Sequence, residues 1–343
     1  MDELTPKQRL LAVLENKKPD RPPVICPGGM MNAAIVEVMQ KSGVTLPEAH
    51  HDPVLMAKLA GFIREYTGFE NFGIPFCMTV EAEVFGSAID FGSLTCEPKI
   101  AAESFPNTAG AVYHDVEELL QQGRIRTVAE AASKLALDYP EIPVLVSLTG
   151  PVSLAASVVD PMPFLKDLRK HPAAAHRVLA YVSSFLIGFA RILAKNGATA
   201  IALGDPTATG EILGPAMFKE YAVPYLKKVV DGIHQAGLPA IVHICGNVSP
   251  VKNLLPSIGA DALSVDALIN LANLKEEFPT IKTMGNVSTY LLEFGPADKI
   301  QNVTRRLILE GIDIIAPACG LSTSSPLEHI QAMTTTVSRA LAR

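Results

Sequence analysis

The chain has no cationic excess, no long hydrophobic run and no cysteine framework, and each absence excludes a class of protein. Lysine and arginine total 29 against 35 aspartates and glutamates, a net charge of −6 with a pI near 5.8. Nucleic acid and anionic membrane surfaces are thereby excluded as the main partner. No stretch of about 18 consecutive apolar residues occurs, so no membrane span is expected. Residues 1–23 are polar with a helical pattern and lack the apolar core of a secretory signal. The cysteines, at 26, 77, 96, 245 and 319, are odd in number and scattered. That usage fits a reducing cytoplasm, where thiols pack or bind metal rather than pair. Tryptophan is absent, which by itself excludes nothing. There is no Gly-x-Gly-x-x-Gly fingerprint, and no Ser/Pro-rich linker, so residues 1–343 read as one domain.

What is present is enough apolar sequence for a large core, with 343 residues that are 48% hydrophobic and 19% charged. From Pro143 onward short apolar runs alternate with helical patterns. Strands are expected at 144–150, 199–205, 240–245, 262–266, 282–287 and 313–319, and all but the one at 262–266 are followed by an expected helix. Residues 23–26 supply a further strand that opens the series. This repetition predicts parallel βαβ units closed into an α/β fold, a (β/α)8 TIM barrel. The first third is less regular. Residues 81–92 read as strands turning at Gly86 and Gly92, and the N-terminal segment reads as an elaboration at the barrel mouth.

Two tetrapeptides carry the chemistry: His243-Ile-Cys-Gly246 and Pro317-Ala-Cys-Gly320. Each closes an apolar run. Strand side chains alternate faces, so His243 and Cys245 project together. Cys319 joins them if the two strands are neighbours in the barrel. One imidazole and two thiolates suit zinc, and three protein ligands leave a fourth position open, as in catalytic zinc sites. The competing account is a core histidine beside buried cysteines. Asp205, Asp266 and Asn286 also fall at expected strand ends, the rim where such barrels place their active sites. All three are candidate catalytic residues. Asp205 and Asp266 are the two candidate acceptors that would orient His243, and each could instead cap the following helix. Asn286 could equally hold a loop.

With these motifs placed, the sequence resembles the uroporphyrinogen decarboxylase superfamily and, within it, the methylcobamide:coenzyme M methyltransferases. The resemblance runs nearly end to end. It rests on Pro19-Asp-Arg-Pro-Pro-Val24, Pro47-Glu-Ala-His50, Pro75-Phe-Cys-Met-Thr-Val80, His243-Ile-Cys-Gly-Asn247, Leu263-Ser-Val-Asp266, Gly285-Asn-Val287 and Pro317-Ala-Cys-Gly320. It implies a (β/α)8 barrel and a Zn²⁺ cofactor held by His243, Cys245 and Cys319. It also implies transfer of a methyl group from a methylcorrinoid, carried by a cognate corrinoid protein, to a small thiol such as coenzyme M. Two departures stand out. Ala267 follows Asp266 where a second acidic or amide residue is expected, and Cys26-Pro-Gly-Gly-Met-Met-Asn32 replaces the usual segment at the mouth.

Three rivals remain at this point. A porphyrinogen decarboxylase would need arginines at the mouth, and none lies between Arg21 and Arg64. A methyl-corrinoid:tetrahydrofolate methyltransferase would keep the donor and change the acceptor. A corrinoid- or metal-holding protein would perform no chemistry. Other reactive residues receive plainer assignments. Cys26, Cys77 and Cys96 are read as packing, and His50-His51 as a solvated turn. Glu81 and Glu83 are read as a charged outer face, Gly28-Gly29 as a turn, and Arg305-Arg306 as a solvated helix face.

Overall fold

The computed structural model describes residues 3–340; Met1, Asp2 and residues 341–343 lie outside them. Strands β1 (Phe72–Ile74), β4 (Val144–Thr149), β5 (Ala200–Gly204), β6 (Ala240–Ile244), β7 (Ala262–Val265) and β8 (Lys282–Met284) form one parallel sheet in that order. β4, β5, β6 and β7 are buried at every residue, as expected for strands covered on both faces. Two further staves close the ring. Residues 313–317 bridge to β8 through Met284 and Ile314, and Val287 bridges Pro317. Val24 bridges Ile315, and the Glu70 amide donates to the Val24 carbonyl. The result is the expected (β/α)8 barrel.

The barrel interior is packed rather than open. Ile25, Met31, Leu145, Ile241, Met284 and Ile314 fill it. Helix Pro6–Leu14, started by a Thr5–Gln8 capping box, pushes Leu10, Val13 and Leu14 into the same cluster from below. The amino-terminal segment thus divides. Its first helix plugs the floor, and only later parts reach the mouth. On the floor Arg9, 1% exposed, is held by Asp20 at 2.7 Å and Glu70 at 2.6 Å.

The outer layer includes helix Pro172–Lys195, long and apolar enough to cross a membrane by length and composition. Its apolar side is buried, with Val178, Leu179, Val182, Phe185, Leu186 and Phe189 in the core. The expected strands at 81–92 are corrected in part. Residues Val80–Val84 form a helix, and the strands begin later, as the antiparallel pair β2 (Ala88–Asp90) and β3 (Lys99–Ala102). Gly86 and Gly92 do turn the chain, at φ +94° and +69°. The hairpin tip leans on the mouth, where the Thr323 hydroxyl donates to the Thr95 carbonyl at 3.0 Å.

Candidate metal centre

His243 is the fourth residue of β6 and is 2% exposed. Ile244 turns outward into the helical layer, and Cys245 follows on the same face as His243. Cys319 arrives from the last stave, fixed by the Ala318 amide donating to the Val287 carbonyl at 2.8 Å. His243 Nε2 lies 3.0 Å from Cys245 Sγ, and the two sulfurs are 3.1 Å apart. The three donor atoms lie within 4.8 Å of one another, a grouping that could hold a metal ion. An imidazole and two half-buried thiols fit a soft, borderline cation such as zinc.

The residue that orients the imidazole is neither Asp205 nor Asp266. Parallel pairing sets His243 beside Ser264 of β7, and Ser264 Oγ lies 2.8 Å from His243 Nδ1. Were Nε2 to face a metal, Nδ1 would carry the hydrogen and donate to that hydroxyl. Ser264 is fully buried, and its hydroxyl in turn lies 3.9 Å from Met31 Sδ. Nothing in Leu263-Ser-Val265 marks the serine as special until the register is known.

Asp205 serves a different purpose. Its carboxylate accepts from the amides of Val152 at 3.0 Å and Ser153 at 2.8 Å, and from Ser153 Oγ at 2.6 Å. It therefore holds the start of helix Pro151–Val158, an earlier helix than the one a cap would suggest. Burial pushes its pKa up to about 6, against the pull of those hydrogen bonds. Asn286 is the loop holder, donating to the carbonyls of Asp266 at 2.9 Å and Ile269 at 2.8 Å. Asp266 Oδ1 accepts from the Leu268 amide at 3.0 Å, and its charge reaches the triad, helping to push the Cys245 thiol up. The two thiols are shifted in opposite directions. The hydrogen bond between them pushes Cys245 up and holds Cys319 down, with His243 adding to the second effect.

A cavity of about 580 Å³ opens beside Cys319, a size suited to a small molecule. Met30, Glu97, Tyr290, Glu293 and Ser322 are among its walls, and Met30 Sδ lies 3.8 Å from Cys245 Sγ. Gly28 and Gly29 make the turn that delivers Met30. Both have positive φ, and a Cβ at Gly28 would stand 2.6 Å from the Ile74 amide nitrogen.

Several plain assignments need correction. His50 is fully buried against Phe76, and neither ring nitrogen has a partner among the described residues. Burial pushes it down to about 4, so it is neutral at physiological pH. Glu81 is 2% exposed and accepts from the Thr149 amide at 2.9 Å and hydroxyl at 3.0 Å. Glu83 pairs with the buried Arg124. Cys96 is exposed on the hairpin and lines the cavity. Cys26 and Cys77 are buried, and Arg305-Arg306 are solvated, as read from sequence.

The (β/α)8 barrel gathers one histidine and two cysteines at its strand ends, a grouping that could hold a metal ion, at the rim where such barrels place their sites. Comparison with known proteins narrows this. The family profile described as uroporphyrinogen decarboxylase (URO-D) matches residues 5–340, and the chain belongs to that family. It is 34% identical over 338 residues to the methylcobamide:CoM methyltransferase MtaA of Methanosarcina barkeri, covering 97% of each chain. It is 31% identical over 339 residues to MtbA of Methanosarcina acetivorans, again covering 97% of each. A solved methyltransferase from Methanosarcina mazei superposes with a TM-score of 0.91 at 32% identity, over 98% of this chain and 99% of that one.

Proposed function

We propose that the protein transfers a methyl group from a methylated corrinoid to a small thiol of the coenzyme M type. The observation that carries this reading is the convergence of His243, Cys245 and Cys319 beside an open cavity. Relatives that cover nearly the whole chain are named as enzymes of that activity, and none of these names involves tetrahydrofolate or decarboxylation. We read residues 1–343 as a single barrel domain acting in the cytoplasm, with a cognate corrinoid protein as donor.

His243, Cys245 and Cys319 would hold Zn²⁺. Bound there, the metal lowers the pKa of an incoming thiol so that it reacts as thiolate at neutral pH. The residues of this chain prepare that event. Ser264 fixes the imidazole rotation, while Asn286 ties down the loop that carries Asp266. As thiolates Cys245 and Cys319 would supply two negative charges to offset the dication. Met30 and Gly320 press together over the sulfurs, and no Cβ fits at Gly320 against the Met30 carbonyl. In the transfer the acceptor sulfur attacks the methyl carbon. The S–C bond forms as the C–Co bond breaks, the electron pair leaves with the corrinoid, and the thiol proton passes to solvent.

The test is metal content together with turnover. Zinc-replete protein should consume methylcobalamin in the presence of a small thiol, followed by the change in corrinoid absorbance. Cys245→Ala and Cys319→Ala should each lose the bound zinc and the turnover. Retention of a full equivalent of zinc in either variant would overturn the ligand set, and no turnover with any thiol would overturn the reaction.

A further inference from the structure

Met30, half-buried, lies across the triad. Its Sδ stands 3.8 Å from Cys245 Sγ, and it shares the walls of the cavity with Cys319. Glycines flank it on both sides. A Cβ at Gly320 would stand 3.9 Å from Met30 Cγ, and one at Gly204 would stand 3.9 Å from both Met30 Cβ and Cε. Gly320 follows Cys319, and Gly204 pairs in register with His243. The side chain thus runs between the stave ends that carry Cys319 and His243, with its sulfur beside Cys245. A tetrahedral centre with bonds to sulfur of about 2.3 Å separates its sulfur ligands by about 3.8 Å. Met30 and Cys245 stand at that separation.

The carboxylates near the triad are turned elsewhere, and none joins its grouping among the described residues. Asp266 Oδ1 accepts from the Leu268 amide at 3.0 Å, and Glu97 Oε1 accepts from Asn32 Nδ2 at 2.9 Å. Ala267 has no donor atom in its side chain. Two thiolates would balance the charge of a zinc dication, and a thioether adds none. It is also a soft, polarisable donor of the kind zinc accepts.

The proposed reaction gives this group a second meaning. Methyl transfer to a thiol yields a methyl thioether, and the Met30 side chain ends in the same methyl thioether. The acceptor thiolate is charged and so binds a cation more strongly than either neutral sulfur does. Resting on the methyl-transfer reading, we propose that Met30 Sδ is the fourth zinc ligand of the resting protein. It is a tethered mimic of the product that yields the metal to the acceptor thiolate and retakes it from the methylated thioether. Met30 holds the metal between turnovers and takes no part in the exchange of the methyl group.

X-ray absorption at the zinc edge, on zinc-loaded full-length protein grown with selenomethionine, tests this apart from activity. Selenium should be a direct neighbour of zinc, together with the two cysteine sulfurs and the imidazole nitrogen. Saturating 2-mercaptoethanesulfonate should remove the selenium and put a sulfur in its place. In Met30→Leu, a volume-conserving change, selenium should be lost and a light atom from water should stand there instead. Met78→Leu, at a methionine whose methyl also approaches Gly204, should keep the selenium, and it identifies the ligand should Met30→Leu fail to fold. A light atom in place of selenium in the resting wild type overturns the inference, as does selenium that persists in Met30→Leu, is lost in Met78→Leu, or stays under saturating thiol. Methylcobalamin turnover with the same thiol, measured alongside, tests the methyl-transfer reading separately. A zinc shell without the two cysteine sulfurs overturns the metal centre, and the inference with it.

Discussion

Replacing Ser264 by alanine isolates the support of the metal centre from the metal centre itself. The change removes one oxygen, 2.8 Å from His243 Nδ1 in a fully buried position. It leaves the imidazole N–H without an acceptor. An unsatisfied buried polar group costs about 1–3 kcal/mol. Loss of the outer partner of a metal-binding histidine typically costs about 10–100-fold in metal affinity, which is about 1.4–2.8 kcal/mol. The affinity loss should appear in competition with a zinc chelator, as a dissociation constant raised by one to two decades. Denaturation of the metal-free protein should show a separate loss of about 1–3 kcal/mol from the orphaned N–H. Cys245 and Cys319 remain, so zinc should still bind at high protein concentration. A variant whose zinc affinity stays within about twofold of wild type would refute the claim that Ser264 orients the ligand, even if the fold were weakened.

Two further outcomes test residues that the site does not use. Burial raises the Glu81 pKa from 4.5 to about 7, so the folded chain binds a proton that the unfolded chain has released. Stability should then fall as pH rises from about 4.5 to about 7, by about 3 kcal/mol. Glu81→Gln should abolish that slope in denaturant titrations at several pH values; an unchanged slope would assign it to other groups. At Gly150 a Cβ would stand 2.6 Å from Asp205 Cγ. Gly150→Ala should therefore cost about 1–3 kcal/mol of stability by displacing the carboxylate from its helix, while zinc content is retained. Loss of zinc from a folded Gly150→Ala protein would return Asp205 to the metal centre.

The triad was legible because its information is local. Two-residue alternation puts His243 and Cys245 on one face whatever the surroundings, and apolar runs on either side identify the strands. Cys319 needed only the assumption that the last stave closes the ring. The outer contacts were not legible, because they depend on register and on loops. Ser264 meets His243 only once β6 and β7 pair in parallel. Asp205 looked like a rim residue, yet Gly150 leaves a gap that draws its carboxylate to the helix beyond β4. His50 sits in a polar stretch that resembles a turn, and it is buried where that stretch packs on Phe76. Glu81 fell in an alternating pattern that suited a strand. The segment is helical for one short span, and its carboxylate completes a hydrogen-bonding need at Thr149 that no sequence rule announces.

The walls of the cavity beside Cys319 come from different parts of the chain than the histidine and two cysteines. His243, Cys245 and Cys319 lie at the ends of barrel staves, whereas Glu97 lies in the hairpin connection, Glu293 on helix Thr289–Phe294 and Ser322 in a terminal loop. Staves are constrained on both faces by packing, while each of these connections carries two or more polar side chains to the cavity. Substrate range in this architecture is therefore a separable trait. Recombining or diversifying three short surface segments would retune which molecule is methylated without disturbing the centre that activates it.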